Sequence, residues 1–178
     1  MQIHTAIKAA CLCLGAAFVA VPAYSFDTGG NAVPTCKKGQ VYSKALKKCV
    51  AQQSSGAVDD DDLYDTGRQL ALAGKYDEAI RVLSLAANKS DPRILNYLGY
   101  SYRKQGDVKR GLGYYEAALK VDPDYTLVRE YLGEAHLQLG DLASARKQLA
   151  EIEKRCGTTC EEYTDLSGEI AAFLKTKG

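Results

Sequence analysis

A stretch of just over thirty residues recurs three times along this chain of 178 residues. In the middle copy, Leu95, Leu98, Gly99 and Tyr102 are followed by Gly111, Tyr115, Ala118 and then Asp122-Pro123. The preceding copy carries Leu63, Thr66, Gly67 and Leu70, then Ala79, Leu83 and Ala86. The following copy carries Leu132, Gly133 and His136, then Ala145, Leu149 and Ile152. Gly67, Gly99 and Gly133 lie 32 and 34 residues apart, and the same spacings relate Gly74, Gly106 and Gly140, and Ala79, Gly111 and Ala145. Three sets of markers in one register define a repeat. A unit this short cannot bury its own apolar face, so the copies must stack on one another. Within each copy the apolar residues recur at three- and four-residue spacing, the helical period. This predicts paired helices over 63–73 and 76–88, 93–105 and 107–121, and 125–139 and 141–155. Gly74, Gly106 and Gly140 supply the left-handed residue between partners, and Pro92 and Pro123 stop the chain between pairs. Gly99 and Gly133 fall inside helices, where each costs about 1 kcal/mol against alanine, so their place in the repeat implies close helix approach. Gly111 and Gly113 mark the fourth helix as the weakest of the six.

The pattern resembles the tetratricopeptide repeat family, a helix-turn-helix unit of about 34 residues that stacks into a curved solenoid. The resemblance implies an all-α solenoid with repeats over 59–91, 92–125 and 126–157. A capping helix over 159–175 would cover its last face. Gly157 ends the sixth helix, and Thr159-x-x-Glu162 has the form of a capping box. Tyr163, Leu166, Ile170 and Phe173 then make one apolar stripe. In the family, the first helix of each repeat lines the inner surface. Carried over position by position, that surface takes Tyr64 and Arg68, then Asn96, Tyr100 and Arg103, then Glu130, Glu134 and Gln138. One end is basic and aromatic and the other is acidic. The family's clamp for a peptide carboxylate needs asparagine with lysine or arginine. Asn96 and Arg103 supply these in part, whereas Glu130 and Glu134 would repel a carboxylate. The resemblance therefore implies a scaffold or adaptor that binds a protein or peptide on its concave face, with no cofactor and no catalysis.

The N-terminus predicts export from a bacterial cell. Residues 1–8 carry one positive charge, Lys8, and residues 9–21 form an uncharged apolar run. Ala23-Tyr24-Ser25 then offers small residues for cleavage, after Ala23 or after Ser25. The run is too short to span a bilayer core of roughly 30 Å, so residues 1–25 read as a secretory signal, with a periplasmic or secreted product and no stable membrane insertion. Removing Lys8 leaves 23 − 1 = 22 basic residues against 22 acidic ones. That balance argues against bulk binding to nucleic acid. Residues 26–58 form a leader without helical period, containing Cys36, Gly39, Val41, Tyr42 and Cys49. A Cys36–Cys49 bridge would remove roughly 3 kcal/mol of unfolded-state entropy and staple a small hairpin in which Gly39 turns the chain. The run Asp59 to Asp62 lacks the spaced oxygens and glycine of a calcium loop and reads as acids facing the positive end of the first helix.

After export four cysteines remain, Cys36, Cys49, Cys156 and Cys160, in two close pairs that fit two disulfides. Cys156 and Cys160 leave other readings open. Three intervening residues depart from the oxidoreductase motif, but two sulfurs so placed also suit a soft cation such as Cu(I). A thiol-redox or copper-handling factor is thus the alternative function. A third reading is a spacer whose leader lysines, Lys37, Lys38, Lys44, Lys47 and Lys48, touch an anionic surface. His136 stands where the other copies have Tyr102 and Leu70, a filler position without a neighbouring nucleophile.

Overall fold

The computed structural model describes residues 33–52 and 58–177. The expected signal peptide at 1–25 and the leader up to residue 32 lie outside the described residues. A two-stranded hairpin, β1 (Gln40–Ser43) and β2 (Lys48–Ala51), precedes seven helices. These are α1 (Asp60–Leu72), α2 (Tyr76–Leu83), α3 (Pro92–Lys104), α4 (Val108–Val121), α5 (Thr126–Gln138), α6 (Leu142–Cys156) and α7 (Glu161–Lys177). The first six form three consecutive pairs and α7 packs on α5 and α6. The result is the all-α helix-turn-helix solenoid expected from the repeat.

The repeat is built from one turn used three times. Gly106 has φ +95°, which lets its N–H donate to the Arg103 carbonyl at 3.0 Å while the Asp107 N–H donates to the Tyr102 carbonyl at 3.0 Å. That doubled closure satisfies carbonyls that the end of α3 would leave open. The same two bonds recur after α1 through Gly74 and Lys75, and after α5 through Gly140 and Asp141. Asp107 and Asp141 then cap the next helix, accepting from the N–H groups of Arg110 and Ser144.

Close helix approach is visible at Gly99 and Gly111. A Cβ on Gly99 would sit 2.7–2.8 Å from carbons of the Tyr115 ring and 3.1 Å from the Gly111 carbonyl oxygen. One on Gly111 would sit 2.9 Å from the Gly99 carbonyl oxygen. Gly111 is therefore where α3 and α4 touch. Only Gly113, facing open space, weakens α4 without return.

Three sequence expectations shift. Helix α2 ends at Leu83 and not at residue 88. The Asp60 carboxylate accepts from the N–H groups of Ala87 and Asn88, both at 2.7 Å, taking donors that a longer helix would have turned inward. In the leader, Cys36 and Cys49 are disulfide-bonded with Cα atoms 5.7 Å apart. Gly39 (φ +82°) turns the chain into β1, but the hairpin reversal lies at 44–47, where Lys47 adopts φ +50°. The hairpin docks on α1: Val41 is fully buried in the first core cluster, the Lys44 N–H donates to Asp62 at 3.1 Å, and Lys44 pairs with Asp65 at 2.6 Å. Finally, α7 starts at Glu161, so Thr159 lies one residue before the capping position. Glu162 does not reach back; it accepts from the Thr126 hydroxyl of α5 at 3.0 Å. Leu166 and Ile170 join Leu137, Ala145 and Ile152 in a buried cluster, which makes α7 the cap expected.

The glycine contrast is testable by thermal unfolding. Gly99→Ala should destabilise by about 1–3 kcal/mol through overpacking, whereas Gly113→Ala should stabilise by about 0.5–1 kcal/mol. Equal effects of the two would contradict the contact between α3 and α4.

Candidate functional site

The first helix of each repeat and the cap share one inner face. A cleft of about 260 Å³ lies there, lined by Arg68 and Leu72 of α1, Tyr97 of α3, Leu127, Glu130 and Tyr131 of α5, and Glu161, Glu162 and Asp165 of α7. No residue of α2, α4 or α6 borders it. Four carboxyl groups face one guanidinium. Leu72 is 49% exposed, an uncovered apolar contact beside the charges.

A spine of tyrosines runs behind the cleft. Tyr64 meets Tyr97 at 5.9 Å between ring centroids, Tyr97 meets Tyr100 at 6.2 Å, Tyr100 meets Tyr131 at 5.2 Å, and Tyr131 meets Tyr115 at 6.3 Å. Tilted pairs at these distances add to area burial. Two arginines are threaded through the spine. Arg68 Nε donates to the Tyr97 hydroxyl at 3.0 Å. Arg103 lies 5.6 Å from the ring centroids of both Tyr100 and Tyr131. Its side chain has no exposure, with Nη1 2.7 Å from Glu134 Oε2 and Nε donating to the Tyr115 hydroxyl at 3.2 Å. The Glu134 contact is an ion pair by distance but off-line for a hydrogen bond, and Nη2 has no hydrogen-bond partner among the described residues.

Glu130 is the outlier of the site. It is 5% exposed and no hydrogen bond or ion pair holds its carboxyl among the described residues. Burial first, and then the neighbouring charges of Glu134, Asp165, Glu162 and Glu161, push its carboxyl up to about 8. Burial likewise raises the Tyr131 hydroxyl well above the usual phenol range, so it stays a proton donor. Asn96, fully buried, has neither amide atom hydrogen-bonded among the described residues.

The inner-face residues inferred from the repeat thus divide. Arg68 and Glu130 line the cleft. Glu134 and Gln138 line a second cleft of about 340 Å³ against Glu169 and Phe173 of α7. Tyr64 and Tyr100 belong to the spine, while Asn96 and Arg103 are buried and present no surface to a partner. Leu72, Tyr97, Leu127 and Tyr131 escaped the sequence reading, as did the acids of α7. Glu162, Asp165 and Glu169 repeat at three- and four-residue spacing beside the buried Leu166 and Ile170, a signal that a cap helix has a second, acidic face. The remaining pair, Cys156 and Cys160, is disulfide-bonded with Cα atoms 5.9 Å apart. Cys156 is exposed and Cys160 half-buried.

The family model described as tetratricopeptide repeat matches residues 98–158. The chloroplastic tetratricopeptide repeat domain-containing protein PYG7 of Arabidopsis thaliana is 26% identical over 114 residues, 61% of this chain and 38% of its own. The mitochondrial import receptor subunit TOM70 of Saccharomyces cerevisiae is 33% identical over 91 residues, 51% of this chain and 15% of its own. The chain therefore spans well under half the length of these curated relatives. Among solved structures, the first tetratricopeptide domain of Spaghetti (RPAP3), bound to the HSP90 peptide SRMEEVD, superposes with a TM-score of 0.57 at 21% identity, covering 66% of this chain and 94% of that one. The Yersinia enterocolitica type III secretion chaperone SycD, in complex with a peptide of the translocator YopD, gives 0.55 at 23% identity, covering 65% and 89%. At such identities the structural likeness shows the fold: a tetratricopeptide helical solenoid.

Glu130 gives a pH signature. Its folded-state value lies above the ordinary carboxyl value of 4.5, so the folded chain binds the proton more tightly than the unfolded one. Stability from this group must then fall as pH rises from 4.5 to about 8 and level off above. Glu130→Gln removes the effect. Its melting temperature should match the wild type near pH 4.5 and exceed it increasingly toward pH 8; a gap independent of pH would refute the assignment.

Proposed function

We propose that this chain is a scaffold or adaptor exported from a bacterial cell, which holds a segment of a partner protein against its inner face. The cleft between α1, α3, α5 and α7 carries the reading: it combines exposed leucine, tyrosine hydroxyl and unpartnered carboxyl in one concave place. Solved proteins of the same fold hold peptides of other proteins, as the Spaghetti domain and SycD do. No helix among the described residues is long and apolar enough to cross a membrane. The pattern of residues 1–25 and the paired cysteines support delivery to the periplasm or beyond.

A photocrosslinking residue at Leu72 tests the inner face directly. Adducts should form at Leu72 and be absent when the same residue replaces Glu116, exposed on α4. Equal adducts at both places, or none at Leu72, would remove the inner face from consideration. N-terminal sequencing of the product should begin after Ala23 or Ser25.

A second reading, thiol-redox or copper handling by Cys156 and Cys160, is favoured by the exposure of Cys156 at the end of α6. Anaerobic Cu(I) titration of the reduced chain should then saturate at one ion and fail in Cys156→Ser. Material from the periplasm with no titratable thiol, and no stoichiometric copper after reduction, would discard it.

A further inference from the structure

We propose that the inner cleft selects a basic segment of its partner, seating a lysine or arginine side chain between Glu130, Asp165 and the Tyr131 ring. The inference rests on the inner-face reading above and adds the chemistry of the occupant. Its first support is charge. Glu161, Glu162 and Asp165 outnumber the single guanidinium of the cleft, Arg68, whose Nε donates to the Tyr97 hydroxyl. A concave site lined mainly by one sign of charge concentrates such a field toward a cation.

The second support is independent of net charge. Glu130 is 95% removed from solvent, by its 5% exposure, yet no cation or donor among the described residues meets it. Several other carboxylates of the solenoid are paired: Glu134 with Arg103, Glu151 with Lys154 and Arg155, and Asp61 and Asp91 with Arg93. An incoming ammonium or guanidinium supplies the counter-charge that this carboxyl lacks and favours its ionised form. The third support is shape. Leu72 and Leu127 flank the cleft, and a lysine or arginine lays its aliphatic stem along apolar surface while its head seeks the acids. Tyr131, half-buried beside Glu130, offers a ring face to that head. An acidic segment would meet four carboxyl groups against the one guanidinium of Arg68.

The test uses the 15N-labelled full-length chain with two probes, deca-L-lysine and deca-L-glutamate. Deca-lysine should shift amides of Leu72, Glu130, Tyr131 and Asp165, and its affinity should fall as salt is raised. The double variant Glu130→Gln/Asp165→Asn should bind it roughly tenfold more weakly. Glu116→Gln/Glu153→Gln, which replaces two exposed carboxylates outside the cleft, should bind within about twofold of wild type. Equal binding by both double variants would reduce the effect to bulk charge and overturn the proposal. Shifts of the same amides by deca-glutamate, with none from deca-lysine, would overturn the basic occupant and leave the inner face standing. Silence of those amides with both probes would take down the inner-face reading as well. Far-UV circular dichroism of each variant guards against unfolding as the cause of any loss.

Discussion

A guanidinium with no exposed surface sits at the middle of this solenoid, and the inner face is arranged around neutralising it. Arg103 joins three helices at once: it belongs to α3, bonds the Tyr115 hydroxyl of α4, and pairs with Glu134 of α5. Removing one partner of such a buried pair costs about 3–5 kcal/mol, because the other charge stays behind. Steric demands follow from the same residue. A Cβ on Gly111 would stand 3.1 Å from the Arg103 Cβ and 2.9 Å from the Gly99 carbonyl oxygen, so the arginine and the two glycines form one packing unit. Its electrostatic consequence lies a helical turn away. With Glu134 held by Arg103, Glu130 on the same face of α5 is left without a cation, and the acids of α7 raise it further.

What the sequence makes legible is whatever the repeat enforces. Gly74, Gly106 and Gly140 announce the turn because one backbone closure is used three times, and Gly99 announces a contact because no side chain fits there. The periodic stripe of Leu166 and Ile170 likewise identifies the cap. Whatever one copy does alone is illegible. Arg103 occupies a position that would face inward in the family pattern, yet a buried Tyr115 and a correctly placed Glu134 draw it into the core. Neither partner is signalled by spacing, since they come from different helices. Asn96 shares the fate of Arg103, and the apparent remnant of a carboxylate clamp disappears with them.

The run from Asp59 to Asp62 shows the same limit at shorter range. Four identical neighbours suggest one collective role, complementing the helix dipole, and three of them do stand in the first turn of α1. Each nonetheless has its own partner. Asp59 caps α1 through the Asp62 N–H, and Asp60 fixes the loop after α2. Asp61 pairs with Arg93, and Asp62 holds the hairpin through Lys44. Because the four side chains fan around the helix start, one acidic turn joins the leader, the first repeat and the second. A hairpin that could not fold alone thereby becomes part of the core through Val41.

Helix α7 carries two requirements on one element. Its buried stripe closes the open end of the solenoid, where Leu166 fills the space left by Gly133. A cap needs only that stripe, with any soluble residues opposite it. Here the side that borders the cleft carries Glu161, Glu162 and Asp165 and faces α1 across it, so the first and last helices bound the same cavity. Glu162 contributes to both: its bond to Thr126 sets the start of α7 against α5, and its charge helps raise the Glu130 carboxyl. The element that completes the fold therefore also fixes the sign of the field in the cleft.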